Sequence, residues 1–168
     1  SLHDALPIYG LKVTQIRLGT ARLTHCMRWL GLSKRCLEEA SAYVAQRMSF
    51  GQTLAAHEGV QWMLGDVAKD IQIGRLLTMQ AAWKLDQGDF ARSDISIAKI
   101  HAADTLHKAA DTAIQLLGAR GYSKDTIVEW IYRYARQARL VDGASEIHKM
   151  VLSRAYLSEG QDFFRWGV

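Results

Sequence analysis

LGTARLTHCMRWLGLSKRCLEEASAYVAQR, residues 18–47, reads as a helix by its spacing. Leu23, Cys26, Met27, Leu30, Leu37, Ala40 and Val44 recur at steps of three and four, so they share one face. A segment of this length far exceeds the ~11–12 residues of an average helix. Its apolar face must be covered by another element. The pattern breaks at MSFGQT, residues 48–53, where Ser49, Gly51 and Thr53 are turn formers.

The same period continues downstream. A second helix is expected over 55–86, with Val60, Leu64, Val67, Ile71, Leu77, Ala81 and Leu85 as its stripe, ended by Gln87-Gly88-Asp89. Ser93 or Asp94 is expected to cap a third, which runs through Ile97, Ile100, Leu106, Ala110 and Ala113 to Leu117. GARGYS, residues 118–123, reads as a loop bracketed by Gly118 and Gly121. A shorter helix follows over 126–140 and a last one from Ser145 to about Gly160. No alternating run is long enough for a sheet. Long helices with short connections imply an all-α fold, an antiparallel four-helix bundle with an additional terminal helix.

Composition is ordinary for one domain: 168 residues, 49% hydrophobic, 23% charged, formal net charge +4. No apolar run approaches the ~20 residues of a membrane span. The charge permits an anionic ligand without requiring nucleic acid. Arg133, Arg136 and Arg139 form a stripe that reads as a solvated or salt-bridged face, and no nucleic-acid module accompanies it. Trp29, Trp62, Trp83 and Trp130 read as core or helix-contact residues. Metal chemistry is not indicated: a di-iron bundle wants two Glu-x-x-His motifs, and the nearest match is a single Asp104-Thr-Leu-His107. His101, Asp104 and His107 read as a polar helix face. Cys26 and Cys36, ten positions apart on one helix, sit ~15 Å apart and beyond disulfide reach. They are expected to be free thiols, as in a reducing compartment.

SLHDALPI, residues 1–8, holds the only proline, Pro7, and shows neither a helical period nor the features of a signal peptide. It matches the translation of a common sequencing-library adapter. The expectation is that residues 1–8 are a cloning or assembly scar, that residues 9–168 are the domain, and that the native gene begins further upstream. Targeting is then unknown; a bacterial cytoplasm is the expected setting.

Three loop regions carry a resemblance. Arg47-x-Ser49-Phe50-Gly51 is followed by His57-Glu58-x-Val60-Gln61. Then comes QLLGARGY, residues 115–122, and then RYARQARLVDGASEIHKMVLSR, residues 133–154. In this order and spacing they resemble the C-terminal helical domain of the flavin-dependent acyl-CoA dehydrogenases, over nearly the whole of residues 11–157. The family fold has an N-terminal helical domain, a middle β domain and a C-terminal bundle, so the resemblance implies a fragment of the larger enzyme.

The resemblance implies a chemistry. Such enzymes remove a proton α to a thioester carbonyl while a hydride leaves the β carbon for the flavin, giving a trans-2-enoyl-CoA. The family's carboxylate base sits in a loop before the final helix, in a pattern like Glu-Gly-Thr; that position here is Asp142, followed by Gly143 and Ala144. Aspartate is one methylene shorter, ~1.5 Å less reach, and misplacement on that scale can cost ~100-fold in rate. A branch of the family resembles this chain in having Asp-Gly there and in Arg17 to Arg28, RLGTARLTHCMR. Arg22 resembles the active-site arginine; the plain alternative is a surface arginine. Relatives that place the base on the first helix would put it near Ala21, which carries no carboxylate.

For FAD, the resemblance implies that Arg47, Ser49 and Phe50 meet the dinucleotide of a neighbouring subunit, with Gln115 and Gly118 on its adenosine side. Ala119 stands where a second glycine is common, and Ala144 replaces a frequent threonine, for which Ser145 or Glu146 could substitute. The plain role for Ser49 and Ser145 is helix capping. No metal is implied. The implied partners are an acyl-CoA substrate, an electron-transfer flavoprotein, and further copies of the chain as a homodimer or homotetramer. Two rivals remain at this stage: an acyl-CoA oxidase-like flavoenzyme on the same scaffold, and a non-catalytic helical oligomerisation or interaction module.

Overall fold

In the computed structural model of the chain, residues 10–165 are described; residues 1–8, read above as adapter-derived, lie outside them. Helix α1 spans Gly10–Val44, α2 Glu58–Asp86 and α3 Arg92–Leu117. A single turn, α4, at Ala119–Tyr122 precedes α5 at Val128–Gln137 and α6 at Ser145–Glu159, with 3-10 turns at Leu54–Ala56 and Gly160–Phe164. The fold is all-α but for two residue pairs, Met48–Ser49 (β1) and Gln52–Thr53 (β2), which form a small antiparallel hairpin between α1 and α2.

Three layers of contact fix the directions of the long helices. Leu23, Ala81 and Ile95 meet in one apolar layer. In the middle, Leu30 and His101 close on Gly74. At the far end Tyr43 and Leu54 share a concavity with Leu116 and Leu117. Helices α1 and α3 therefore run the same way, and α2 runs against both, as short connections between long helices require.

Helix α3 is the axis: α1, α2, α5 and α6 all pack on it. Its buried positions are mostly small, Ala98, Ala102, Ala103, Ala109, Ala110 and Ala113. Small side chains let neighbouring backbones come close on several sides, since interaxial distance is set by what stands at the contact. Polar ties fix α2 against α3. His101 Nε2 is 2.8 Å from Asp70 O, Lys108 pairs with Asp70 at 2.8 Å, and Lys84 with Asp94 at 3.0 Å.

Several expectations are corrected. Trp29 is fully buried, but Trp62, Trp83 and Trp130 are 66%, 47% and 46% exposed, as is Met27 at 66%. Their helices present these side chains on faces that the other described elements leave about half open or more. Ser93 and Asp94 do not cap α3: Ala91, in a left-handed conformation, holds the N-cap position without a side-chain bond. Asp89 instead accepts from the Ala91 N–H, and Asp94 reaches back to Gln80 and Lys84 on α2. GARGYS is not a plain loop, because Gly121 lets a turn of helix fold back against Ile114 and Leu117. The arginine stripe is in part ion-paired, Arg133 to Glu129 and Arg139 to Asp104, each at 2.8 Å. Cys26 and Cys36 are free and buried, and burial pushes both thiols up to about 12.

Two glycines test the close packing. A Cβ at Gly121 would stand 2.9 Å from the Ile114 backbone, which cannot move aside. One at Gly74 would stand 2.6 Å from Leu30 Cδ2, a side-chain end that can rotate. Alanine at Gly74 would also gain up to ~1 kcal/mol of helix propensity. Gly121→Ala is expected to cost ~1–3 kcal/mol by overpacking and Gly74→Ala less; urea unfolding of the two variants checks the order.

Candidate functional site

The turn between α5 and α6 is the centre of one site. Asp142 has φ 52° and Gly143 φ 98°. Aspartate tolerates the left-handed region better than most residues, and glycine adopts it freely. At Gly143 a side chain is also excluded by space, since a Cβ would meet His148 Nε2 at 3.1 Å. The turn closes where the Ser145 N–H donates to Arg139 O over 3.0 Å, and Ser145 then opens α6.

Four side chains from three helices converge on this turn. Arg22 of α1 donates Nε–H to the carbonyl of Asp142 over 2.9 Å. Lys99 of α3 donates Nζ–H to the carbonyl of Gly143 over 2.7 Å, with Ala138 O at 3.4 Å. His148 of α6 puts Nε2 3.4 Å from Asp142 O and Nδ1 3.0 Å from Ser96 Oγ. His25 of α1 donates Nε2–H to the Asp142 carboxylate, at Oδ2, over 2.9 Å. Both members of that pair are about a quarter exposed. Trp29, fully buried, stacks on His25 with ring centroids 5.4 Å apart, and Lys99 Nζ lies 5.5 Å from the Trp29 ring centre.

The electrostatics follow from burial. Desolvation lowers the Lys99 ammonium below the ordinary lysine value; Cys26 and Asp142 act against the shift and Arg22 with it. Desolvation, reinforced by the charges of Lys99 and Arg22, drives His148 down to about 4. Burial also lowers Arg22, with Asp142 opposing. His148 is therefore neutral at pH 7, and the cations of the site flank one carboxylate, Asp142.

The second region lies at the opposite end of the bundle. The β1–β2 hairpin turns through Phe50 (φ 52°) and Gly51 (φ 81°), the two positive φ values of a type I′ connection. A phenylalanine in that conformation is strained, and here it is 97% exposed at the tip. His57 supports the hairpin, with Nε2 3.2 Å from Ser49 O and Nδ1 3.1 Å from Gln52 Nε2. Arg47, Ser49, Gln115 and Gly118 line one open concavity of about 400 Å³ against the end of α3. Among the described residues no carboxylate lies within ion-pair distance of Arg47.

The structure thus gathers the expected residues in two groups. Asp142, Arg22 and Ser145 stand together, with Glu146 exposed beside them. Arg47, Ser49, Gln115 and Gly118 stand together, with Phe50 above them. At ~1.5 Å per residue along α1, roughly 33 Å separates Arg22 from Val44 at the hairpin. Neither Ser49 nor Ser145 caps a helix: Ser49 is in β1, and the N-cap of α6 is Ala144. Sequence reasoning missed His25, Lys99 and His148. The signals were present: His25 and Trp29 follow Arg22 at helical spacing, and Lys99 interrupts the alanine stripe of α3.

Do these residues fit a dinucleotide cofactor? Ser145 Oγ, His25 Nδ1 and Trp29 Nε1 are buried polar atoms without a hydrogen-bond partner among the described residues, and such groups call for one. The hairpin concavity offers an uncommitted guanidinium, a hydroxyl and an exposed aromatic face. The donor set of the hairpin concavity fits a phosphate-bearing ligand. Among the described residues no group of three His, Cys, Asp or Glu side chains could hold a metal ion, and no helix is long and apolar enough to cross a membrane.

The family model described as acyl-CoA dehydrogenase, C-terminal domain, matches residues 9–157. The chain is 36% identical over 161 residues to "Probable acyl-CoA dehydrogenase FadE2" of Mycobacterium tuberculosis, covering 95% of this chain and 40% of that protein. It is 34% identical over 147 residues to acyl-CoA dehydrogenase family member 11 of Gallus gallus, covering 86% of this chain and 19% of that protein. The solved butyryl-CoA dehydrogenase of Megasphaera elsdenii superposes with a TM-score of 0.84 at 30% identity, over 88% of this chain and 39% of that one. The chain spans less than half the length of these relatives.

The buried histidine predicts a pH dependence. Its folded pKa of about 4 lies below the ordinary 6.5, so the unfolded chain binds the proton more readily. The stability this confers is complete above about pH 6.5 and is lost as pH falls through about 4. The shift corresponds to about 3 kcal/mol. His148→Gln, which cannot titrate, should lose stability less steeply between pH 7 and pH 4 than the parent; parallel urea titrations at the two pH values, with identical slopes, would refute this.

Proposed function

The chain belongs to the acyl-CoA dehydrogenase family, as a C-terminal domain, and from that premise we propose that the protein carrying it is an FAD-dependent acyl-CoA dehydrogenase. The reaction is α,β-dehydrogenation of an acyl-CoA thioester to a trans-2-enoyl-CoA. The observation that carries the reading is Asp142. It is a part-exposed carboxylate on a turn whose backbone and side chain are both held, by Arg22, Lys99 and His148 on the carbonyls and by His25 on Oδ2.

Asp142 takes the role of general base, as a member of the branch with Asp-Gly at this position. A base must lie within hydrogen-bond reach of the proton it removes. The turn leaves the carboxylate about a quarter exposed, and its second oxygen, Oδ1, has no partner among the described residues. Arg22 holds the Asp142 carbonyl and so orients the peptide that follows. The Asp142 N–H, which no acceptor among the described residues takes, is placed to donate to the thioester carbonyl as negative charge develops there.

FAD, when bound, supplies the acceptor for the β hydrogen and its electron pair. In this reading Ser145 Oγ meets the flavin in place of the frequent threonine, with Glu146 beside it. Arg47 binds phosphate, Ser49 donates a hydroxyl bond, Phe50 lends an aromatic face, and Gln115 and Gly118 meet the adenosine side. The two groups of residues are too far apart along α1 to serve one cofactor from one chain. Each flavin is then shared between two copies, and the protein is at least a homodimer and, by family habit, a homotetramer. An electron-transfer flavoprotein is the electron acceptor we assign. A bacterial cytoplasm fits the two buried free thiols and the mycobacterial relative.

The test uses the complete enzyme. Asp142→Asn is expected to abolish reduction of the flavin by acyl-CoA while flavin content stays at the parent level. Turnover retained in that variant would show that another group is the base.

A further inference from the structure

The carboxylate of Asp142 is not held by the backbone contacts that fix its turn. The final torsion of an aspartate is broad, with no sharp rotamer of its own. Among the described residues only one group touches the carboxylate itself, His25 at 2.9 Å from Oδ2. The ring that makes this contact is in turn fixed. Trp29 stacks on it at an interplanar angle of 23°, and Trp29 is fully buried against Lys99. Lys99 donates to the Gly143 carbonyl, so one chain of contacts runs from the backbone of the turn, through α3 and α1, to the side chain of the same turn.

We propose, resting on Asp142 as the base, that His25 is its positioning residue: it holds Oδ2 and leaves Oδ1 as the oxygen that receives the α proton. The step then balances simply. The Cα–H bond breaks and its proton forms an O–H bond on Oδ1. The electron pair left on Cα forms the Cα=Cβ double bond as the β hydrogen leaves with its pair to the oxidised flavin. Oδ2 keeps its hydrogen bond from His25 throughout.

His25 is not itself the base. Its Nε2 is occupied by Asp142, and its Nδ1 is buried, so the ring offers no open nitrogen to a substrate. The charged groups around the pair are Arg22 on α1, Lys99 on α3 and Glu146 on α6. Both cations touch backbone carbonyls of the turn, and His25 is left as the donor to the carboxylate itself.

The experiment compares His25→Leu, His25→Ala, His25→Gln and Asp142→Asn in the complete enzyme. Flavin content and melting temperature confirm folding, and leucine keeps the volume against Trp29. The readouts are single-turnover flavin reduction, KM, and exchange of the α hydrogen with deuterium from solvent. Leucine and alanine are expected to lower kcat and the exchange rate by ~10- to 100-fold, the scale of a misplacement near 1 Å, with KM unchanged. Glutamine, whose amide N–H reaches the same oxygen, is expected to recover most of the loss. A leucine variant with the parent's kcat and exchange rate would overturn the proposal, and so would glutamine as impaired as leucine. These outcomes are separable from failure of the base assignment: an active Asp142→Asn overturns that assignment, whereas an inactive Asp142→Asn beside a normal His25→Leu overturns only the role of His25.

Discussion

Lys99 donating to the Gly143 carbonyl from inside the bundle is the contact on which the site depends. The lysine is fully buried, and an unpaired ammonium there would be very costly. Two carbonyls, Gly143 and Ala138, and the face of Trp29 supply the compensation. A hydrogen bond from a charged donor contributes about 1.5–3 kcal/mol. More important is what it determines. It ties the loop after α5 to the axial helix, and a loop tied at the carbonyl of Gly143 has its preceding residue, Asp142, aimed in one direction. Arg22 and His148 then act on a backbone already placed. The axial position of α3 makes this possible: its alanines let four helices approach, and the one long polar side chain among them reaches through to the turn.

The helices were legible because burial on one face imposes a period that survives any detail of packing. Cys26, Leu30, Ala40 and Val44 on α1 show it, as do Val67, Ile71 and Ala81 on α2. What the period cannot distinguish is a face buried within the chain from one left open by it. Trp62, Trp83 and Met27 were read as inward for that reason. Capping was misread differently. Ser93 and Asp94 have the right side chains, but Ala91 enters the helix from a left-handed conformation and Asp89 satisfies the entry instead. Asp142 and Arg22 could be named from motif resemblance, and they do meet. Their supporting residues could not. His25, Lys99 and His148 come from three helices, and only the packing brings them to one turn.

The two turns are built alike. Phe50-Gly51 and Asp142-Gly143 each place a non-glycine residue at positive φ before a glycine at positive φ. The pairing reverses the chain within two residues and pushes the first side chain outward. A side chain so placed bears some strain, which persists only where the surroundings over-determine it. His57, Ser49 and Gln52 do this at the hairpin, and Arg22, Lys99 and His148 do it at the carboxylate. The bundle sets the distance between the two turns through the length of α1.

Unmet polar groups say which surface is unfinished. Arg139 being paired with Asp104, four buried side-chain atoms lack a polar partner among the described residues, and three of them, His25 Nδ1, Trp29 Nε1 and Ser145 Oγ, belong to residues of the Asp142 site. Elsewhere buried hydroxyls are satisfied locally, Ser33 by Trp29 O and Thr78 by Gly74 O. A core that satisfies its hydroxyls wherever a helix turn can do so, yet leaves three buried atoms unpaired among the residues around one carboxylate, bears a desolvation cost at that turn. The Ser145 hydroxyl can donate or accept, whereas the Trp29 indole only donates. Such uncompensated groups persist only where the surroundings over-determine them, and the His25 and Trp29 rings are fixed there by their mutual stacking, by the Asp142 carboxylate and by Lys99.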